Sequence, residues 1–120
     1  MAIITIKLSK KSGLGTIEYK GKVYKCGGMV GFQYPADSTI DPTLKGHKEE
    51  LHISKEFTRP EYNHIVKMPY SVLWIGQKGV YIHEWPNLEL SHGCIHLLKG
   101  DAKEFYNSVT EKTRVVFEWV

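Results

Sequence analysis

Apolar and polar residues alternate from the start of the chain. In Ile3–Leu8, Ile4, Ile6 and Leu8 share one face, the two-residue period of a half-buried strand. Thr16–Tyr19 and Val23–Cys26 carry the same pattern on either side of Lys20-Gly21-Lys22, which predicts a hairpin. Residues 27–46 are rich in Gly, Pro and Asp and read as loops with one short strand around Val30–Gln33. Alternation resumes over Glu50–Ser54, and Pro60 and Pro69 bracket another irregular stretch. Tyr70–Ile75 and Gly79–Glu84 then read as two strands joined at Gly76-Gln77-Lys78. Leu90, Ile95, Leu97 and Leu98 give 90–98 the packing residues of a further buried strand. One helix stands out: Asp101 and Glu104 have capping-box spacing, and Ala102, Phe105, Tyr106 and Val109 recur with a helical period. The chain closes on Arg114–Val120, with Val115, Phe117 and Trp119 on one face. This pattern predicts a compact, mostly-β single domain over 1–120 with one late helix.

Composition narrows the setting more than the chemistry. A chain of 120 residues can bury a core without disulfide staples, and 42% hydrophobic with 24% charged residues is the balance of a water-soluble globular protein. The formal charge of +3 fits an anionic polymer as partner without requiring one. Nucleic acid is not indicated, because Lys7, Lys10, Lys11, Lys20, Lys22 and Lys25 are spread over strands and turns rather than gathered on one helix. No apolar run approaches the ~18 residues of a membrane span. MAIITIKLSKKSG places its apolar stretch before its lysines, the reverse of a signal peptide. The expectation is a protein that acts inside the cell, a mature or excised piece, or a domain delivered by other machinery. Of two cysteines, Cys26 in KVYKCGG reads as a small apolar filler at a strand end.

The other cysteine lies in LSHGCIHLL, residues 90–98, whose Ser91-His92-Gly93-Cys94 and His96 are not what a core strand needs. If the segment is extended, residues 92, 94 and 96 point the same way and Cys94 sits between two imidazoles. A nearby imidazolium raises the fraction of thiolate, the nucleophilic form. Gly93 lets the backbone approach a substrate or adopt positive φ, and the N–H groups of Gly93 and Cys94 are then candidates to face a tetrahedral oxyanion. Such parts suit acyl transfer through a thioester. A base is supplied by His83 in GVYIHEWP if that strand pairs with the segment leading to Cys94. His47, His52 and His64 read as surface or hydrogen-bonded residues.

SHGCIHL, with GVYIHEWP before it and DAKEFYNSVTEKTRVVFEW after it, resembles the L,D-transpeptidase catalytic domain of peptidoglycan cross-linking. That family's signature is a histidine, a spacer, then Ser/Thr-His-Gly-Cys, a hydrophobic residue and Arg or Asn. MPYSVLWIGQKGVYIHEWP resembles the segment leading to the first histidine, IDPTLKGHKEELHIS takes the place of a Pro-Thr-x-Gly strand, and Thr113–Val116 stands at the family's Gly-Thr-x-Val. The resemblance implies a compact β-sandwich or barrel with a helix in its C-terminal region. It implies Cys94 as nucleophile, His83 as its base, the Glu84 backbone carbonyl orienting that base, and His92 as a second histidine lining the site. Ser91 and Gly93 would shape the turn and oxyanion pocket, and Tyr70 falls near an aromatic that faces substrate. The implied partners are peptidoglycan stem peptides, so the implied place of action is the periplasm or cell envelope. No metal or organic cofactor is implied. If the domain is a delivered antibacterial effector, an immunity protein is a further expected partner.

Three departures from the family pattern carry expectations of their own. Seven residues, Glu84 to Leu90, separate His83 from Ser91, about half the family's usual spacer, which predicts a more open cleft. Glu84 replaces a small residue, and its charge is expected to raise the pKa of His83. His96 stands where Arg or Asn usually holds a peptide carboxylate, so Lys99 or a protonated His96 is expected to take over that clamp.

Three other readings compete. Zinc bound by His83, His92, Cys94 and His96 has the right donor types, but alternate strand residues strain a tetrahedron. A papain-like peptidase runs cysteine first and histidine downstream, whereas His83 precedes Cys94. A catalytically inactive peptidoglycan-binding module is compatible with the short spacer.

Overall fold

The computed structural model describes residues 2–52, 64–89 and 91–120. The alternation at the N-terminus becomes strand β1 (Ile3–Leu8), whose Ile4, Ile6 and Leu8 are fully buried. β1 pairs antiparallel with β2 (Leu14–Tyr19), and β2 pairs with β3 (Lys22–Gly27) across a turn in which Lys20 and Gly21 have φ of 50° and 77°. Both values are those of the tight turn whose twist matches a hairpin's.

Asp37–Ile40 forms β4, Lys45–His52 β5, His64–Ile75 β6, Val80–Glu84 β7, Ile95–Leu97 β8 and Thr113–Trp119 β9. Together the nine described strands form one sheet in the order β4-β9-β1-β2-β3-β8-β7-β6-β5. Among them only β1 with β9 and β7 with β8 run parallel. Inner-face residues from Ile4 round to Val72, Ile82, Ile95 and Val115 make one core cluster, so the sheet curls around its own apolar face.

The single described α-helix, α1 (Lys99–Ser108), buries Ala102 and Phe105 against that face. The Phe105 ring meets Tyr19 and Tyr24 edge-on at 6.0 and 5.9 Å. Lys45 donates to the carbonyls of Tyr106 (2.7 Å) and Val109 (2.8 Å), and Lys20 to that of Ser108 (2.9 Å). These three bonds satisfy carbonyls that a helix C-terminus leaves without intrahelical partners.

Two expectations need correction. The strand expected around Val30–Gln33 is a turn region, in which the Tyr34 hydroxyl takes the Met29 N–H at 2.9 Å. The short strand of this segment lies instead at Asp37–Ile40, where Asp37 holds Arg114 of β9 in a two-pronged ion pair. The helix begins at Lys99 with Leu98 as its N-cap, not at Asp101. Glu104 is drawn to Lys22 (2.5 Å) and the Tyr24 hydroxyl (3.1 Å), so no capping box forms. The expected strand Glu50–Ser54 is described only to His52, and Pro60 and Leu90 lie outside the described residues.

β8 lies in the middle of the sheet. Cys26 pairs with Leu97 and Gly27 with His96 on one side, while Ile82 pairs with Ile95 and His83 with His96 on the other. The described residues of the β7–β8 connection, 85–89 and 91–94, contain no helix, and Leu88 passes over the outer face: a methyl added at Gly27 would stand 1.7 Å from its carbonyl oxygen.

Candidate active site

Strand alternation sends Ile82, Ile95 and Leu97 into the core and sets His83 and His96 side by side on the opposite face. Their ring centroids are 5.2 Å apart. Trp85 closes over both, stacked on His96 at 5.2 Å and edge-on to His83 at 5.8 Å. His83 is therefore 2% exposed and His96 5%.

His83 Nδ1 lies 2.8 Å from the Glu84 carbonyl oxygen. A carbonyl only accepts, so Nδ1 carries the proton and Nε2 is the basic nitrogen of the neutral ring. Burial lowers the His83 pKa from its ordinary value, opposed by that carbonyl bond. This corrects the expected rise from the Glu84 charge. Successive side chains on a strand face opposite ways, so the Glu84 carboxylate leaves the His83 face and lines a groove of about 620 Å³ with Pro69, Trp85, Pro86, Leu98 and Lys99.

Cys94 is half-buried and lies just before β8. Its Sγ is 3.5 Å from the Tyr81 N–H and 3.9 Å from the Gly79 carbonyl oxygen, beside β7 two residues ahead of His83. Cys26, by contrast, is fully buried, with its thiol pushed up to about 12 by burial. Only Cys94 has the access a reactive thiol needs.

The segment before Cys94 is a turn, not an extended strand. The Ser91 hydroxyl accepts the Gly93 N–H at 3.1 Å and donates to the Cys94 carbonyl, and Gly93 sits at φ 129°. A side chain at Gly93 would also meet the Phe32 ring at 2.7 Å. Only Ile95–Leu97 is strand, so the extended run expected through 92–96 does not form: His92 is exposed while His96 is buried. Of the two N–H groups expected to face an oxyanion, that of Gly93 is committed to Ser91.

The remaining candidate residues divide. His96 lacks the positive charge expected of a clamp at neutral pH. Burial, then repulsion from His83, lowers its pKa to about 4, against the opposing pull of the Glu89 and Asn87 backbone, so it is neutral at neutral pH. Lys99 lies in the groove beside Glu84. Tyr70, at φ 52°, packs edge-on against Tyr106 of α1 at 5.4 Å and against the core cluster. Among the described residues no three His, Cys, Asp or Glu side chains converge as metal ligands, so the proposed zinc set is not assembled. The side chains of His47, His52 and His64 lie outside what is described.

Two residues of the site region were missed in the sequence. Tyr34 donates to the Gly93 carbonyl at 2.7 Å, and Trp85 covers the histidine pair. The available signal was an aromatic in a Gly- and Pro-rich loop for the first, and Trp next to the motif histidine for the second.

The family model of the YkuD L,D-transpeptidase catalytic domain matches residues 22–117. No curated protein matches the chain significantly. Among solved structures, L,D-transpeptidase 3 from Mycobacterium tuberculosis superposes with a TM-score of 0.68 at 19% identity, covering 98% of this chain and 61% of that one. The complex of LdtMt1 with imipenem gives 0.66 at 18% identity, covering 98% and 59%. An L,D-transpeptidase from Mycobacterium smegmatis gives 0.63 at 21% identity, covering 98% and 59%. At these identities the likeness is one of fold, and this chain spans about three fifths of each of those chains.

Proposed function

The chain belongs to the L,D-transpeptidase catalytic domain family, and on that premise we propose that it is a cysteine acyltransferase acting on peptidoglycan stem peptides in the cell envelope. The reading is carried by one observation: a buried, neutral imidazole with its Nδ1 tied to the Glu84 carbonyl, on the strand beside the accessible thiol of Cys94. Held this way, His83 keeps Nε2 as the nitrogen able to act as a base.

His83 takes the Cys94 proton, and the sulfur attacks the carbonyl carbon of an L-configured residue in a stem tetrapeptide. The tetrahedral oxyanion collapses, and the C–N bond to the terminal D-residue breaks. The departing amine receives the proton from His83, leaving a thioester on Cys94. An amine of a second stem, a free D-amino acid or water then attacks that thioester and regenerates the thiol. His92, exposed in the segment before the nucleophile, meets the incoming peptide in this reading, while Ser91 and Gly93 keep that turn in shape.

Purified stem tetrapeptides incubated with wild type and Cys94→Ala, followed by mass spectrometry, test the reading. Wild type is expected to release the terminal D-residue, and Cys94→Ala to lose activity by about 10³-fold or more. Release undiminished in Cys94→Ala refutes the covalent route. Wall binding retained by both proteins with turnover by neither marks an inactive binding module instead.

A further inference from the structure

The nucleophile turn is gripped from the core side by a residue far from it in sequence. Tyr34 lies in the loop between β3 and β4 and is 8% exposed. Its ring stacks flat on Trp74, 5.2 Å between centroids and 7° between planes, and is flanked by Phe117 at 5.0 Å and Trp119 at 5.8 Å. The core therefore fixes the ring, and the ring fixes the hydroxyl.

That hydroxyl accepts the Met29 N–H at 2.9 Å and donates to the Gly93 carbonyl at 2.7 Å. With the Gly93 N–H held by Ser91, both backbone polar groups of Gly93 are tied down. Gly93 C=O and Cys94 N–H belong to one planar trans peptide unit, so holding the oxygen sets the direction of the N–H and the starting point of the Cys94 side chain. A donor on the oxygen also polarises the N–H of the same unit.

We propose that Tyr34 is a positioning residue for Cys94, which through the Gly93 carbonyl orients the Gly93–Cys94 peptide and aims the sulfur for attack. This deepens the acyltransferase reading and rests on Cys94 being its nucleophile. A displacement of about 1 Å at a reacting group can cost on the order of 10²-fold in rate, so the loss of one such anchor is measurable.

Tyr34→Phe keeps the stacked ring and removes only the hydroxyl. Two rates are read under conditions where thermal unfolding shows the protein fully folded: alkylation of Cys94 by iodoacetamide, located by peptide mapping, and release of the D-residue from stem tetrapeptide. The expected result is kcat about 10-fold lower with KM within about twofold, and slower alkylation. Gly28→Ala crowds the same place, its methyl standing 2.7 Å from Leu8, 2.8 Å from the Tyr34 hydroxyl and 3.0 Å from Ile95; slower alkylation and a lower kcat are expected there too. A folded Tyr34→Phe with wild-type rates, or one that does not fold at all, overturns the proposal, because the hydroxyl is then a structural element only. If wild type alkylates at Cys94 but releases no D-residue, the peptidoglycan reading fails by itself and the alkylation arm decides the role of Tyr34.

Discussion

His83 and His96 face each other across adjacent strands under Trp85, a space that two positive charges cannot share. Burial keeps His96 neutral down to about pH 4 in the folded protein, whereas an unfolded chain protonates it near its ordinary 6.5. Stability from this residue is therefore fully present above about pH 6.5 and drains away as pH falls toward 4, because the unfolded state binds the extra proton. The whole effect is at most about 3.5 kcal/mol, since each of the roughly 2.5 pH units between the folded and unfolded pKa is worth ~1.4 kcal/mol. Urea titrations between neutral pH and pH 4.5 should show that decline, and His96→Gln should flatten part of it. The position itself was legible as unusual, since a histidine replaces the family's Arg or Asn. Its burial was not, because alternation along 92, 94 and 96 gave no hint that the strand starts only at Ile95. Cys94 and His83 were legible from local motif chemistry. Tyr34 was not, since its contact spans 59 positions and no local pattern encodes it.

Elements with a clean two-residue period were the easiest to read. Ile3–Leu8 has the bounds its alternation indicates, and the Lys20–Gly21 turn joins the expected pair of strands. The helix start and the short strand after β3 were misplaced for a shared reason: a tertiary partner outweighed the local signal. Glu104 serves Lys22 and Tyr24 rather than a cap, and Asp37 reaches Arg114 on the far strand. The β7–β8 connection makes the sharpest demand at this scale. It lies so close over β3 that any side chain at Gly27 meets the Leu88 carbonyl, and backbone cannot move aside as a side-chain tip can. Gly27→Ala is expected to destabilise the fold by about 2 kcal/mol or more and to displace the covering loop. Equilibrium unfolding gives the first quantity, and a shift in fluorescence of the tryptophan population that includes Trp85 reports the second. A Gly27→Ala protein as stable as wild type would mean that the crossover does not rest on β3.

Across the whole molecule, the strand order turns sequence separation into a site. β8 slots between β3 and β7, so the turn bearing Cys94 emerges at mid-sheet with β7 and His83 along one side. The inner face carries the core and α1, leaving the outer face to the histidines and the short connection that covers them. The mostly-β class and the late helix followed from periodicity. The strand order did not, because parallel pairing of β1 with β9 joins the two ends of the chain and is set by the shared core rather than by any turn. The central claim is covalent capture of a stem peptide at Cys94, and acid-quenched mixtures of the protein with stem tetrapeptide test it by intact mass and peptide mapping. The account predicts an adduct equal to the tetrapeptide less its terminal D-residue, on Cys94 and absent from Cys26. Turnover proceeding while Cys94 stays unmodified, or an adduct carried by another residue, would contradict it.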